Sequence, residues 1–489
     1  LIRFHAEIGA SAATAKRTPF WLQANQYGIV PDTSPFATIR VGVHANRLYH
    51  HYTPTTDATR RKSKFAGWGY GLELIANAGV RKAFLMPEAY AKAQIWRFEL
   101  AAGRRREWVG LADSTVGSGS YIWSGNALPL PKIQLSLPAY TSIGFTRGVL
   151  AFRGFYAHGW FSNQGPVTHS YLHQKALYGR LGKPSWPIKL YGGFNHQVQW
   201  GGRSDVIKDK TAIRNGRFPA HFRDYISAVT GVSLGYNPRV DTTQYSYVDR
   251  WNRIGNHLGT IDVGMEITGR HYSLLLYRQS IYEDGSLFYL TNIIDGLNGV
   301  RFRNSRRSSA EWHFDDFVVE LLYTKSQGGA VFGSTDKERG ADNYFNHTQY
   351  IDGWSYLGRT IGTPFITPAR DTRPDLPRYE TDSLLAFCNN NRVRVIHLGV
   401  AGRFRQCYTF RLKGSISDNA GTYIRPFPTR VRQFSALLTV GFPLRIWRDV
   451  QATASLAVDQ GRLYTNSTGV YVSVRKTWNR LPKSALSDE

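Results

Sequence analysis

The sequence predicts an all-β fold: a transmembrane antiparallel β-barrel of about 18 strands with long extracellular loops, some folding into the mouth or lumen. Three observations carry this. The first is strict alternation. In TIRVGVHAN (38–46), Ile39, Val41, Val43 and Ala45 share one face, and Arg40, Gly42, His44 and Asn46 share the other. TIDVGMEIT (260–268), RVIHLGVAGRF (394–404), QFSALLTVGF (433–442) and QATASLAVD (451–459) repeat the pattern. Side chains of a strand point to opposite faces in turn, so each segment is apolar on one face and polar on the other. The second is length. Segments of roughly 9–12 residues suit a tilted bilayer-spanning strand, whereas soluble strands average about 5–6. The third is composition. The 489 residues include 28 Tyr, 13 Trp and 47 Gly, and no run of about 18 apolar residues exists to make a membrane helix.

The elements are threaded backward from the C-terminus, with short turns periplasmic and long loops extracellular. VYVSVRKTW (470–478) sets Val470, Val472, Val474 and Trp478 on one face, and resembles the closing strand of outer-membrane barrels. Strands are expected at 469–478, 447–458, 433–442, 407–414, 395–404, 314–323, 297–303, 271–280 and 258–268. Upstream they are expected at 230–236, 187–199, 149–160, 133–146, 104–112, 89–100, 66–78, 36–46 and 1–10. Residues 1–478 then form one barrel domain, with 11–35, 161–186 and 324–394 as outer loop or plug segments and 479–489 as a polar tail. Two connections, 47–65 and 200–229, come out long and periplasmic against the rule; DYISAVTG (224–231) reads as a short helix there. HSYLHQKALYGRLG (169–182) reads as loop with a short helix. The chain opens on a strand, LIRFHAEIG, so an export signal is expected to have been removed.

Charge and cysteines narrow the function classes. Lys+Arg 61 against Asp+Glu 35 gives a net +26, yet the basic residues are dispersed and no nucleic-acid-binding motif appears. No nucleic acid is therefore expected as a partner. Cys388 and Cys407 flank one expected strand and lie too far apart for a disulfide. No Cys/His metal spacing, HExxH, GxSxG or phosphate-binding loop is present, so the expectation is no enzyme, no cofactor and no metal. HFDDF (313–317) reads as a polar turn, and the adjacent Glu283 and Asp284 do not suit a glycosidase pair.

Binding chemistry is better represented. Sugars are held by aromatic faces with amides and charged groups on their hydroxyls. FWLQANQYGIVP (20–31), too short and broken for a helix, mixes both types, so Trp21, Asn25, Gln26 and Tyr27 are candidate glycan contacts. Tyr344, Asn346, His347, Trp354 and Arg359 in the longest outer loop join them. His196, Gln199 and Trp200, at an end threaded as periplasmic, suit a second site or a structural role. Arg40, His44, Asp262, Glu266 and His397 are expected to face the lumen. Loop 324–394 carries nine Lys/Arg against eight Asp/Glu, which favours neutral or mixed glycans over a strongly acidic polymer.

Several phrases resemble a known family. PFWLQANQYG (19–28), YGGFNHQVQWGG (191–202), EDGSLFYLTNIIDGLNGV (283–300), NYFNHTQYIDGWSYLGRTIGTPF (343–365) and NNRVRVIHLGVAGRF (390–404) are similar to blocks of Wzi-type capsule-assembly proteins, in their Bacteroidetes form. The resemblance implies an 18-stranded barrel in the outer membrane of a Gram-negative cell. It also implies a lectin-like role in attaching or organising capsular polysaccharide. Expected partners are capsular or other surface polysaccharide, outer-membrane lipid or lipopolysaccharide, and other outer-membrane proteins. The enterobacterial form carries an N-terminal helical bundle, whereas this chain opens on a strand, so no ligand residue is carried over. The alternatives are a channel or transporter, a structural subunit of a larger surface assembly, and a membrane hydrolase.

Overall fold

The computed structural model describes residues 2–47, 66–236, 243–283, 286, 290–306, 310–331, 340–378, 387–444 and 447–480. One 18-stranded antiparallel sheet closes on itself through the pairing of its first and last strands. In chain order the strands are β1 (Ile2–Ala13), β2 (Phe36–Arg47), β3 (Ala66–Gly79), β4 (Ala83–Ile95), β5 (Phe98–Arg104) and β6 (Lys132–Ser142). Next come β7 (Leu150–Trp160), β8 (Tyr171–Leu181), β9 (Ile188–Trp200), β10 (Asn256–Thr268), β11 (Tyr272–Glu283) and β12 (Gly296–Asn304). The last six are β13 (Trp312–Tyr323), β14 (Val393–Phe404), β15 (Tyr408–Gly421), β16 (Pro426–Pro443), β17 (Val450–Gly461) and β18 (Ser467–Arg480). Closure leaves no unpaired edge, which a bilayer demands of a sheet.

The wall follows the alternation. Ile39, Val41, Val263, Ile396, Leu398, Phe434, Leu438, Val470 and Val472 are exposed on the outside. Phe4 pairs with Trp478 across the seam, their rings stacked 5.9 Å apart. With Trp96, Trp312 and Tyr408 they form part of an aromatic girdle at the end of the short turns.

Six expectations are corrected. Residues 89–100 are not one strand: the chain reverses at Trp96, with φ of 55°, between β4 and β5. That left-handed conformation favours glycine, so Trp-Arg gave no turn signal. Residues 104–112 leave the wall after Arg104 and enter the lumen. Residues 230–236 are the end of helix α2 (Phe222–Thr230) and a 3₁₀ turn, not a strand. Residues 171–181, inside the expected loop or plug segment 161–186, are wall strand β8. Residues 415–432, left as a connection between the expected strands 407–414 and 433–442, are also mostly strand, because β15 and β16 extend to a turn at 422–425. Asn479 and Arg480, assigned to the tail, belong to β18.

Restoring β8 changes the parity of the chain. The connection after β9, residues 201–255, now leaves the same end as 14–35, 105–131, 161–170, 284–295 and 324–392. By the rule for outer-membrane barrels this end is extracellular. Of the two exceptions, 200–229 disappears, and 48–65 lies outside the described residues.

The upper lumen is filled. Segments 14–35, 105–131 and 340–378 bring Phe20, Trp21, Tyr121, Ile122, Tyr344, Phe345, Trp354 and Phe365 into one buried apolar cluster with inward-facing wall residues. FWLQ makes a single helical turn, α1 (Phe20–Gln23), after Pro19. Below the plug the inward face becomes charged, with Arg40, Arg403, Arg411, Lys413 and Arg475 around a cavity of about 630 Å³. Cys388 and Cys407 are free thiols.

Candidate functional site

Buried wall carboxylates and amides hold the plug by its backbone. Asp459 Oδ2 accepts from the amide of Phe20 (2.8 Å) and from Arg17 Nη1 (2.7 Å). Asp262 Oδ2 accepts from Leu111 N at 2.8 Å, and Glu320 Oε2 from Ser118 N at 2.6 Å. Gln279 Oε1 accepts from Tyr121 N at 2.9 Å, and Glu283 Oε1 from Phe345 N at 3.2 Å. Charge-assisted bonds of this kind satisfy amides that irregular backbone would otherwise leave stranded.

Most of the sequence-predicted binding residues belong to this plug. Trp21 is 1% exposed; its ring meets Phe20, Phe365 and His397, and its Nε1 donates to Ser415 Oγ at 3.1 Å. Asn25, with φ of 57°, donates through Nδ2 to Ser118 O at 2.8 Å. Gln26 lines the lower cavity, and Tyr27 lies under the guanidinium of Arg106. Tyr344 Oη donates to Asp295 Oδ2 (2.8 Å), and Trp354 Nε1 to Ile122 O (3.0 Å). Asn346 clasps the backbone of Cys388 in both directions, at 2.8 and 2.9 Å. His347 Nδ1 accepts from Gln349 N at 3.1 Å, and Arg359 donates to Val30 O at 2.6 Å. These residues come together as one interior network.

The five lumen-facing positions all point inward. Arg40 lines the lower cavity, His44 lies 2.9 Å from Glu88, and Tyr191 Oη donates to Glu266 at 2.8 Å. His397 Nε2 is 2.8 Å from Val116 O, and Asp262 binds the plug as described. HFDDF, expected as a polar turn, is instead part of strand β13, with a bulge at Asp315 near the short-turn end: Asp315 pairs with Arg403 at 2.7 Å and Asp316 with Arg303 at 2.7 Å. Asp284, the neighbour of Glu283, lies outside the described residues.

His196, Gln199 and Trp200 separate. His196 Nε2 lies 3.0 Å from His257 Nδ1 on the outer wall, and Trp200 packs against Tyr171 and Tyr225 there. Gln199 turns inward and lines a cleft at the outer end. The periplasmic placement of all three is thus corrected, because β9 runs upward once β8 is counted and 230–236 is not.

That cleft, of about 360 Å³, lies between the 161–167 connection, residues 351–358, residues 368–370 and Phe387. Phe161, Tyr356 and Phe387 give it aromatic surface; Ser162, Gln164, Asp352 and Arg370 give it polar surface. Tyr356 is fixed by Arg104, whose Nη2 donates to its hydroxyl at 2.9 Å. Asp352 Oδ1 and Gln199 Oε1 are buried without a hydrogen-bond partner. Burial pushes the Asp352 carboxyl up to about 6, against the lowering effect of its own amide and that of Val167. Gly165 has φ of 121°, and a Cβ there would come within 2.8 Å of Asp352 Oδ2. The loop therefore approaches the carboxylate only as glycine. Sequence reasoning chose Trp354 and Arg359 from the quoted block but passed over Asp352, Ser355 and Tyr356 between its members. Their partners, Phe161–Val167, lie about 190 residues away in sequence.

A barrel with this inserted plug matches known proteins. The family model for capsule assembly protein Wzi covers residues 36–373. The chain belongs to the Wzi capsule assembly family. Among solved structures, it resembles Escherichia coli Wzi, described as an outer-membrane carbohydrate-binding β-barrel involved in group 1 capsule assembly. The TM-score is 0.59 at 13% identity, over 97% of this chain and 85% of that one. OccAB2 of Acinetobacter baumannii (TM-score 0.46, 9% identity, 98% and 97% coverage) and OccK5 of Pseudomonas aeruginosa (0.45, 9%, 98% and 98%) also align. No curated protein sequence matches the chain. This Wzi-family chain is an 18-stranded barrel of the cell outer membrane.

Proposed function

We propose that this barrel binds surface polysaccharide without catalysis, in a lectin-like manner, and that the outer-end cleft is its glycan site. The observation that carries the reading is the pair of unpartnered buried acceptors, Asp352 Oδ1 and Gln199 Oε1, beside aromatic surface. Sugar hydroxyls supply the missing donors, and their C–H faces lie on Phe161, Tyr356 and Phe387. Arg370 beside Asp352 suits a neutral or mixed glycan. Capsular polysaccharide is the ligand that the family membership favours. Trp21, Asn25, Gln26, Tyr27, Tyr344, Asn346, His347, Trp354 and Arg359 serve the site at one remove, by holding the plug that forms its floor. A filled upper lumen favours anchoring over transport.

The test is retention of purified capsular polysaccharide by the full chain in detergent. Asp352→Asn and Arg370→Ala are each expected to lower retention about tenfold, since a lost charged hydrogen bond costs about 1.5–3 kcal/mol. A carboxylate accepts sugar hydroxyls better than a carboxylic acid, so retention should weaken as pH falls through about 6. The Asp352→Asn variant should lack that dependence. Stability runs the other way: a folded-state pKa above the unfolded value costs stability as pH rises from about 4 to about 6. Equal retention by wild type and both variants would sink the cleft as the site.

A further inference from the structure

The described residues of connection 201–255 are 201–236 and 243–255. Residues 201–218 pack at the mouth against Tyr350 of the plug, and helix α2 beyond them folds outward over the wall of β7–β10. Helix α2 lies on that wall. Tyr225 Oη is 2.7 Å from Tyr156 Oη, and its ring meets His158, His173 and Trp200. Ala228 packs with Val198 and Trp200. Lys175 Nζ donates to Val229 O, and Arg253 Nε to Gly231 O at 2.6 Å. The helix so covers an outward-pointing polar row: His158, His173, Lys175, His196 and His257. Facing hydrocarbon, each would cost several kcal/mol, on the order of other stranded polar groups.

The opposite face of the flap is apolar and open. Phe222 and Ile226, four residues apart on one side of α2, are 78% and 50% exposed. Val232 follows, and helix α3 (Tyr247–Trp251) adds exposed Tyr247 and Trp251. The flap also meets the bare barrel wall. Leu177 lies two positions below Lys175 on β8, and Phe194 two below His196 on β9, both exposed outward. Its apolar face is therefore continuous with the lipid-facing belt. Arg203, Lys208, Lys210, Arg217 and Arg223 are exposed along the same connection. None of them forms an ion pair with a carboxylate among the described residues. Of the described acids there, Asp224 and Asp249 are buried in the helix caps, which leaves only Asp205 and Asp209 exposed.

We infer that residues 201–236, with 243–255, form a lipid-binding flap: α2 seats Phe222 and Ile226 among the outer-leaflet acyl chains, and the flanking cations hold lipid phosphates. An amphipathic helix with basic flanks binds an anionic interface by this combination of apolar burial and charge. The occupant is an acyl lipid whose phosphate gives it net negative charge, unlike zwitterionic phosphatidylcholine, because the surface continues the lipid belt and its charge excess is positive.

The experiment uses the full chain with Cys407→Ser, labelled with an environment-sensitive fluorophore at Ile226→Cys. The protein is placed in phosphatidylcholine vesicles with and without lipid A, and bromine on the acyl chains serves as quencher. Blue-shifted, bromine-quenched emission is expected, with quenching at least twofold stronger in lipid A vesicles. Arg217→Glu with Arg223→Glu should abolish the lipid A increment. A label at Val331→Cys, exposed on another outer loop, should stay unquenched. Phe222→Cys replaces Ile226→Cys if the latter fails to fold, as judged by circular dichroism. Water-like, unquenched emission at both positions would overturn the proposal and point to a protein partner. Quenching indifferent to lipid A and to charge reversal would overturn its phosphate half.

Discussion

Two long connections at the same end of this barrel go opposite ways. Segment 14–35 folds inward and 201–255 folds outward. Both mix aromatic, polar and charged residues. The difference lies in what the wall offers. Facing 14–35, the lumen presents Asp459, Ser415 and His397 as partners, with Val393 and Val395 as apolar floor. Facing 201–255, the outer wall of β7–β10 presents imidazoles and Lys175 where other strands present Leu and Val. In both places a loop settles on the wall surface that could not stay bare: apolar rows in an aqueous lumen, polar rows against hydrocarbon.

The largest expected effect lies in the plug. Trp21→Ala removes a 1%-exposed indole and should loosen plug docking by about 3–5 kcal/mol. Amide exchange over 14–35 should accelerate while the strand amides stay protected. Uniform exchange across wall and plug would mean that the two do not separate energetically. Asp459→Ala comes next. It strands Arg17 and the Phe20 amide, and should cost about 3 kcal/mol. Faster proteolysis within 14–35, with 201–255 unaffected, is the expected readout. The smallest effect lies in the flap. Gly231 caps α2 with φ of 68°, so Gly231→Ala should cost about 1 kcal/mol. Exchange should rise in 222–230 and leave the plug unchanged. A response in 14–35 would show that the two loops are coupled, against the comparison drawn above.

The wall was legible wherever its outer face met lipid throughout and its inner face met water. β2 and β18 meet that condition along most of their length, and β10 and β14 meet it below the flap and the plug, so their alternation located them. β8 does not. Its outer face carries Tyr171, His173 and Lys175 under the flap, and its inner face carries Leu172, Ala176 and Tyr178 under the plug. Both faces are inverted over the upper half, so HSYLHQKALYGRLG reads as loop or helix. The false strand at 230–236, counted in place of β8, then reversed the ends of β9 and sent the connection after it to the wrong side. The turn at Trp96–Arg97 was illegible for a local reason, a left-handed backbone without glycine. At the cleft, the 350–358 stretch was noticed, but the aromatic chosen from it, Trp354, packs the plug, and Tyr356, which lines the cleft, was passed over.

The sequence by itself determined the barrel, from the solvent that most strand faces meet, and the family, from its blocks of resemblance. Period-two patterning is local, and the bilayer imposes it wherever no loop covers the wall. The tertiary structure alone decided which loops entered the lumen, which one covered the wall, and which polar atoms were left without partners. Those outcomes depend on contacts between segments hundreds of residues apart, as between Trp21 and Ser415 or Arg104 and Tyr356. No local period records such contacts.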